Sequence, residues 1–202
     1  TVSVIDQTAP SQTLGKQSLQ PKGIYYTRVS GIWQTVWLED VPQRHFRMVK
    51  MKPRIAEGTL RVLPTLEGKP LESERIVITV RDGERVVSVA DAALSVRIPN
   101  AKLWSPRNPS LYDITMELFD GEELIDRVES YAAMREIGTV RGPGGQIRMT
   151  LNGKVIFQYG TLDQGWWPDG LLTPPSDAAM RFDVEYLKKS GFNMIRKHIK
   201  VE

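Results

Sequence analysis

Leu111-Tyr112-Asp113-Ile114-Thr115-Met116-Glu117-Leu118 alternates apolar and polar side chains from Tyr112 onward, and Asp120-Gly121 then precedes a second run, Glu122–Val128. A period of two sends successive side chains to opposite faces of a strand. Ile114, Met116 and Leu118 are therefore expected to face a core, and Asp113, Thr115 and Glu117 to face water. An Asp-Gly pair between two such runs signals a hairpin, because a two-residue turn needs positive φ. Asp82-Gly83 repeats the device between Arg75–Arg81 and Glu84–Val89. Arg44–Arg54 interleaves its basic residues with Phe46, Met48, Val49 and Met51, which reads as a strand with a solvated face. Further turn signals stand at Gly58, Gly68-Lys69-Pro70 and Pro99-Asn100. Strands every ~8–12 residues, punctuated in this way, predict a mainly β fold. Its centre, residues 41–137, is expected to be an immunoglobulin-like β-sandwich. Trp104-Ser105-Pro106 to Pro109 reads as a rigid loop anchored to the core by its tryptophan.

The flanks read differently. Thr1–Lys22 is polar and aperiodic, an irregular arm. Gly23–Val29 and Ile32–Glu39 are rich in aromatic and β-branched residues and read as strands; Trp33, Thr35 and Trp37 share one face, with the tryptophans as core or interface residues. On the other side, Gly138, Gly142, Pro143, Gly144 and Gly145 mark a linker or long turn. Ile147–Thr150 and Val155–Tyr159 are short apolar runs split by the hairpin signal Asn152-Gly153. A loop from Gly160 to Pro175 follows. Ser176 is the expected N-cap of a helix whose stripe, Met180, Val184 and Leu187, is plain core, and Gly191 is its expected stop. Phe192–Arg196 reads as a strand, so the tail is one βαβ unit. Parallel strands need neighbours and cover on both faces. A chain reaching Glu202 just after such a unit is expected to be a slice of something larger, and a start at Thr1 without Met points the same way.

Composition narrows the function classes. Hydrophobic residues make up 41% of the 202 and charged ones 25%, which is ordinary globular usage and enough for a core. There is no cysteine, which excludes disulfides, thiolate metal sites and cysteine nucleophiles; two histidines argue against a histidine-rich metal centre. No metal and no cofactor are expected. The 27 basic and 24 acidic residues are interspersed, unlike the clustered basic face of a nucleic-acid binder. No apolar run reaches the ~20 residues of a membrane span. The compartment stays open between periplasmic, extracellular and cytoplasmic.

Three segments together carry a resemblance. Ser30-Gly31-Ile32-Trp33-Gln34-Thr35-Val36-Trp37-Leu38-Glu39 resembles the closing strands of the sugar-binding jelly roll of glycoside hydrolase family 2. Leu151-Asn152-Gly153-Lys154-Val155-Ile156-Phe157 resembles the approach to that family's catalytic barrel, and Gly191-Phe192-Asn193-Met194-Ile195-Arg196-Lys197-His198 its second barrel strand. The family contains β-galactosidases, β-glucuronidases and β-mannosidases. The resemblance implies a jelly-roll remnant over 1–40, the sandwich over 41–137 and the truncated start of a (β/α)8 barrel over 138–202. It implies a retaining glycosidase acting on O-glycosyl bonds of a carbohydrate substrate.

Retaining glycosidases need two carboxyl groups ~5–5.5 Å apart. The resemblance implies two glutamates at later barrel strands, the acid/base one preceded by asparagine; the chain contains no Asn-Glu pair. No catalytic residue is therefore assigned, and the segment is expected to be inactive alone, with its sandwich as a spacer. Barrel sites lie at the C-terminal ends of the strands. Asp163, Trp166, Trp167 and Asp169 in the long loop, with Arg196 and His198 after the second strand, are the expected substrate-binding group. The tryptophans suit the C–H face of a pyranose or simple loop packing. Arg196 suits an ion pair or, as the resemblance implies, the steadying of a nucleophile. His198 suits either a structural or a substrate role. A second copy of the chain is an expected partner for the exposed barrel segment. The competing reading is a stand-alone carbohydrate-binding or adhesion sandwich; Phe46, Trp104, Tyr112, Phe119 and Tyr131 make no alternating row that would serve it.

Overall fold

The computed structural model describes residues 1–6 and 15–199. It is mainly β, with 45% of the described residues in strands and 7% in helix. The chain divides into two compact units, Glu39–Phe157, and Thr1–Leu38 together with Gln158–Glu202. The reading of Thr1–Lys22 as an irregular arm falls partly on residues 7–14, outside the described residues.

In the second of these units the described residues of the amino-terminal stretch contribute two short strands, β1 (Gln17–Ser18) and β2 (Tyr26–Thr27), paired in parallel. Ile32–Glu39 forms no strand, and Trp37 is 71% exposed rather than in a core. Alternation supplies an apolar face, but a strand also needs a neighbour to complete its backbone ladder. No described strand runs beside this segment.

The unit Glu39–Phe157 is built from β3 (His45–Arg54), β4 (Thr59–Glu67), β5 (Glu74–Asp82), β6 (Arg85–Asp91), β7 (Ser95–Arg97), β8 (Tyr112–Asp120) and β9 (Glu123–Ala132). They form two antiparallel sheets, ordered β3-β4-β7 and β6-β5-β8-β9. One core joins them: Leu60, Val62 and Val96 from the first sheet, and Ile78, Val80, Ile114, Met116 and Leu118 from the second. The expected inward set of β8 is therefore buried. Thr115, expected in water, is buried as well, because β8 is a central strand crowded by β5 and β9. Tyr112 is buried too, and its hydroxyl accepts the Lys102 N–H at 2.8 Å. That satisfies the one polar atom the ring brings inside. At the edge, the Phe46 N–H donates to Asp126 Oδ2 at 2.8 Å, tying β3 to β9 across the sheets.

Both Asp-Gly signals mark hairpins, with a shift of one position. Asp82 pairs with Arg85 and Asp120 with Glu123, so each turn is Gly-Glu and only Gly83 and Gly121 have positive φ. Glycine leads the turn, and the aspartate closes the strand. Asn152-Gly153 behaves as read, with φ of 52° and 75° between the paired Leu151 and Lys154.

Arg44 clamps one end of the sandwich. Its Nε and Nη2 donate to the two Glu74 carboxylate oxygens at 2.7 and 2.9 Å, and its Nη1 donates to the Gly68 carbonyl at 2.8 Å. The two side chains are only 11% and 23% exposed. The Arg44 hydrogen bond, opposed by burial, holds the Glu74 carboxyl below its ordinary pKa. A depressed folded-state pKa contributes stability above the ordinary carboxylate range and loses it as pH falls through the depressed value. Denaturant midpoints are expected to fall between pH 7 and pH 3, and the fall is expected to be shallower in Glu74→Gln; equal slopes in the two proteins would refute the assignment.

The region after Ile137 forms a small antiparallel sheet, β10 (Ile137–Arg141), β11 (Ile147–Leu151) and β12 (Lys154–Val155). It belongs to the same compact unit as the sandwich. Asn152 is the fastener: its Nδ2 donates to the Trp104 carbonyl at 3.0 Å and its Oδ1 accepts the Glu136 N–H at 3.0 Å. Trp104 itself lies under Arg135, whose guanidinium carbon sits 4.5 Å from the ring centre.

Candidate functional site

The tail is strand, helix, strand. β13 (Gly160–Asp163) pairs in parallel with β14 (Met194–Lys197), and α1 (Asp177–Lys189) lies between them in sequence. The first strand of the pair thus falls after Val155–Tyr159, the expected position. Two local devices set this register. Asn193 takes both backbone groups of Tyr159, its Oδ1 accepting the Tyr159 N–H and its own N–H donating to the Tyr159 carbonyl, both at 2.9 Å. At Gly160 a Cβ would collide with the Met194 carbonyl, so only glycine allows this approach.

The helix starts and stops where its sequence says. Ser176 Oγ accepts the Ala179 N–H. Gly191 takes φ of 90°, its N–H donates to Lys188 O and the Phe192 N–H donates to Leu187 O. That is the Schellman pattern that satisfies the last carbonyls. The stripe reading is corrected in one respect: no helix residue is buried, and Met180 and Val184 are exposed. The stripe has the pattern of a core-facing face without a full core on it.

Asp163 is the centre of the strand ends. Its Oδ2 pairs with Lys197 Nζ at 2.8 Å, its Oδ1 accepts the Gly165 N–H at 2.7 Å, and its backbone carbonyl accepts the His198 N–H at 2.9 Å. Asp163 and Lys197 occupy one register position and so share a face. That face, with Thr161 and Ile195, looks into a cleft of about 560 Å³ walled by α1. Trp166 and Trp167 line the same cleft. Trp166 stacks flat on Tyr26, with centroids 4.4 Å apart and planes 11° apart. One face of its indole is therefore taken. Trp167 exchanges backbone hydrogen bonds with Leu171 at 2.7 and 3.1 Å. Tyr26 went unread in the sequence; its position in a strand run was visible, its role against Trp166 was not.

Of the six expected binding residues, Asp163, Trp166 and Trp167 come together in this cleft. Arg196 falls one position out of phase with Ile195 and Lys197, so it belongs to the opposite face of the strand pair. Asp169 is exposed in the turn beyond Trp167 and does not line the cleft. His198 follows β14, half-buried. Partial burial lowers its pKa from the ordinary imidazole value, and the Arg196 and Lys16 cations push it the same way. Both effects favour the neutral imidazole, which can donate and accept. Among the described residues no cluster of three or more His, Asp or Glu has the arrangement of a metal site, and no helix is long and apolar enough to cross a membrane.

Asp163→Ala is expected to cost about 1–2 kcal/mol of stability, because it strands the buried Gly165 N–H. Asp163→Asn, which keeps that acceptor and loses only a half-exposed ion pair, is expected to cost less than about 1 kcal/mol. Thermal melts of the two variants check the order.

Residues 50–135, which span the two-sheet core, match the family model described as Glycosyl hydrolases family 2. Over those residues the chain is similar to glycosyl hydrolases family 2. Among relatives, it is 27% identical to a putative beta-glucuronidase of Formosa agariphila, over 82% of this chain and 21% of that protein. It is 25% identical to a beta-galactosidase of Leuconostoc mesenteroides, over 87% of this chain and 19% of that protein. Among solved structures, the beta-glucuronidase of Ruminococcus gnavus superposes with a TM-score of 0.66 at 18% identity, over 77% of this chain and 25% of that one. That likeness is one of fold. The chain spans about a fifth of the length of these curated relatives.

Proposed function

We propose that this chain is an interior segment of a retaining family 2 glycoside hydrolase that cleaves O-glycosyl bonds of a carbohydrate. In this reading residues 1–40 close a jelly roll, 41–137 form an immunoglobulin-like spacer, and 138–202 open a (β/α)8 barrel. The observation that carries it is the parallel β13–β14 pair with α1 between them, later in a chain whose two-sheet core matches the family. A two-stranded parallel sheet has unsatisfied edges and needs further strands. The helix supports the same reading, since Phe182 and Tyr186 stack on each other yet stay exposed. A second copy of the chain is one partner that could cover them.

The mechanism asks for two carboxyl groups about 5–5.5 Å apart across the scissile bond. Asp163 is committed to Lys197 and Gly165, and Asp169 stands outside its cleft. The bond-cleaving pair is assigned to the barrel strands that follow in the parent. What this segment contributes is position: Asp163 locks the loop that carries Trp166 and Trp167 to the strand ends. The purified 202-residue chain is expected to release no chromophore from p-nitrophenyl β-glucuronide or β-galactoside. Turnover that survives further purification would overturn the inactive-segment reading. Saturable binding of neutral oligosaccharides by the chain alone would instead favour a stand-alone binding module.

A further inference from the structure

A second cavity, of about 570 Å³, lies within the unit formed by residues 1–38 and 158–202. Gln17, Arg28, Ser30 and Trp33 line one part of it, the Gly170–Thr173 turn another, and Asp6 reaches it from the amino-terminal segment. The turn is held tightly. Leu171 sits at φ of 56°, a strained value for a branched side chain, and a Cβ on Gly170 would collide with the Thr173 carbonyl.

Arg28 is the unusual member. Its Nε is sealed from solvent and has no acceptor, and among the described residues its guanidinium makes no hydrogen bond or ion pair. Gln17, which lines the same cavity, has its Oε1 occupied by the Val29 N–H at 3.0 Å. A guanidinium carries five N–H donors and never loses its charge at working pH. Sealing even one of these donors from water with no acceptor is unfavourable, and an incoming anion relieves it. A planar fork of N–H groups fits a carboxylate or sulfate edge.

We propose that this cavity is a binding site for an oxyanion-bearing ligand, with Arg28 as the receiving group. The carbon body of such a ligand meets Trp33 and the apolar side chains of Val4 and Ile5 on the wall. Asp6 works against it, since its carboxylate repels an anion in the same space. The inference stands apart from the hydrolase reading: it concerns a different cavity from the Asp163 cleft and needs no chemistry there.

The test is an NMR titration of the whole ¹⁵N-labelled chain with inorganic sulfate, with D-glucuronate and with D-glucose, at constant ionic strength set by sodium chloride. Saturable shifts are expected at the amides of Val29, Ser30 and Leu171–Thr173 with one or both anions and not with glucose. A response to glucuronate alone identifies a carboxylate ligand, and a response to sulfate alone a sulfate ester. Arg28→Gln is expected to weaken binding about tenfold or more, the loss of a charge-assisted contact. Asp6→Asn is expected to tighten it, a variant that serves even if Arg28→Gln does not fold. No saturable shift with either anion, an equal response to glucose, or unchanged affinity in Asp6→Asn would each overturn the proposal.

Discussion

Met116→Asp is expected to unfold the unit formed by the two large sheets. Met116 is 1% exposed at the middle of β8, between Ile78 on β5 and Val128 on β9, and packs where the two sheets share their core. A carboxylate there has no partner, and an unpaired buried charge costs several kcal/mol even after it takes up a proton. A small domain has only about 5–15 kcal/mol to lose. Met116→Ala separates the two terms: it leaves a cavity with no charge and is expected to cost about 3 kcal/mol. Near-ultraviolet circular dichroism and urea titration distinguish them. The aspartate variant should lose its tertiary signal without denaturant, and the alanine variant should keep it with a lower midpoint. A folded Met116→Asp protein would mean that this side chain is not in the shared core.

The second large effect is expected at Gly68. This residue follows β4, takes φ of 90°, and brings its backbone so close to the chain at Gln43 that a Cβ would collide with the Gln43 carbonyl. Its own carbonyl accepts from Arg44, whose other donors hold Glu74. Gly68→Ala therefore meets a conformational penalty of about 1 kcal/mol and a steric one, and the shift that relieves them pulls on the Arg44–Glu74 clamp. A loss of about 2–4 kcal/mol is expected from the sum of strain and a weakened buried pair. If the clamp is what gives way, the acid sensitivity assigned to Glu74 should flatten in the same variant. Alanine at Gly83 is the control, since a Cβ there meets nothing within 4 Å and only its φ of 59° is at issue. Equal losses at the two glycines would show that the close approach to Gln43 carries no weight.

These expectations rest on features of unequal visibility in the sequence. The strand pattern of Tyr112–Leu118, the hairpins at Gly83, Gly121 and Asn152-Gly153, the Ser176 cap and the Gly191 stop are local, and each appears in the structure at or beside its expected place. The failures have one origin. Ile32–Glu39 has the pattern of a strand and forms none, while Gly160–Asp163, with no marked pattern, becomes one. A strand exists only where a second segment completes its hydrogen bonds, and that partner is not written in the segment itself. Asp163 likewise looked like a loop acid, and it proves to be the residue that ties β13, β14 and the tryptophan loop together.

By itself the sequence determined the mainly β class, most strands of the two-sheet unit and their turns, and the helix with both its caps, because side-chain periodicity, turn conformation and end-capping act over a few residues. Only the tertiary structure decided that Gly160–Asp163 is the parallel partner of Met194–Lys197, that Arg196 lies on the face opposite Asp163, and that Arg28 Nε stands without an acceptor. Those outcomes depend on register and on contacts between segments far apart in the chain, 34 residues in the case of Asp163 and Lys197, where a one-residue slip turns a side chain from one face of a sheet to the other.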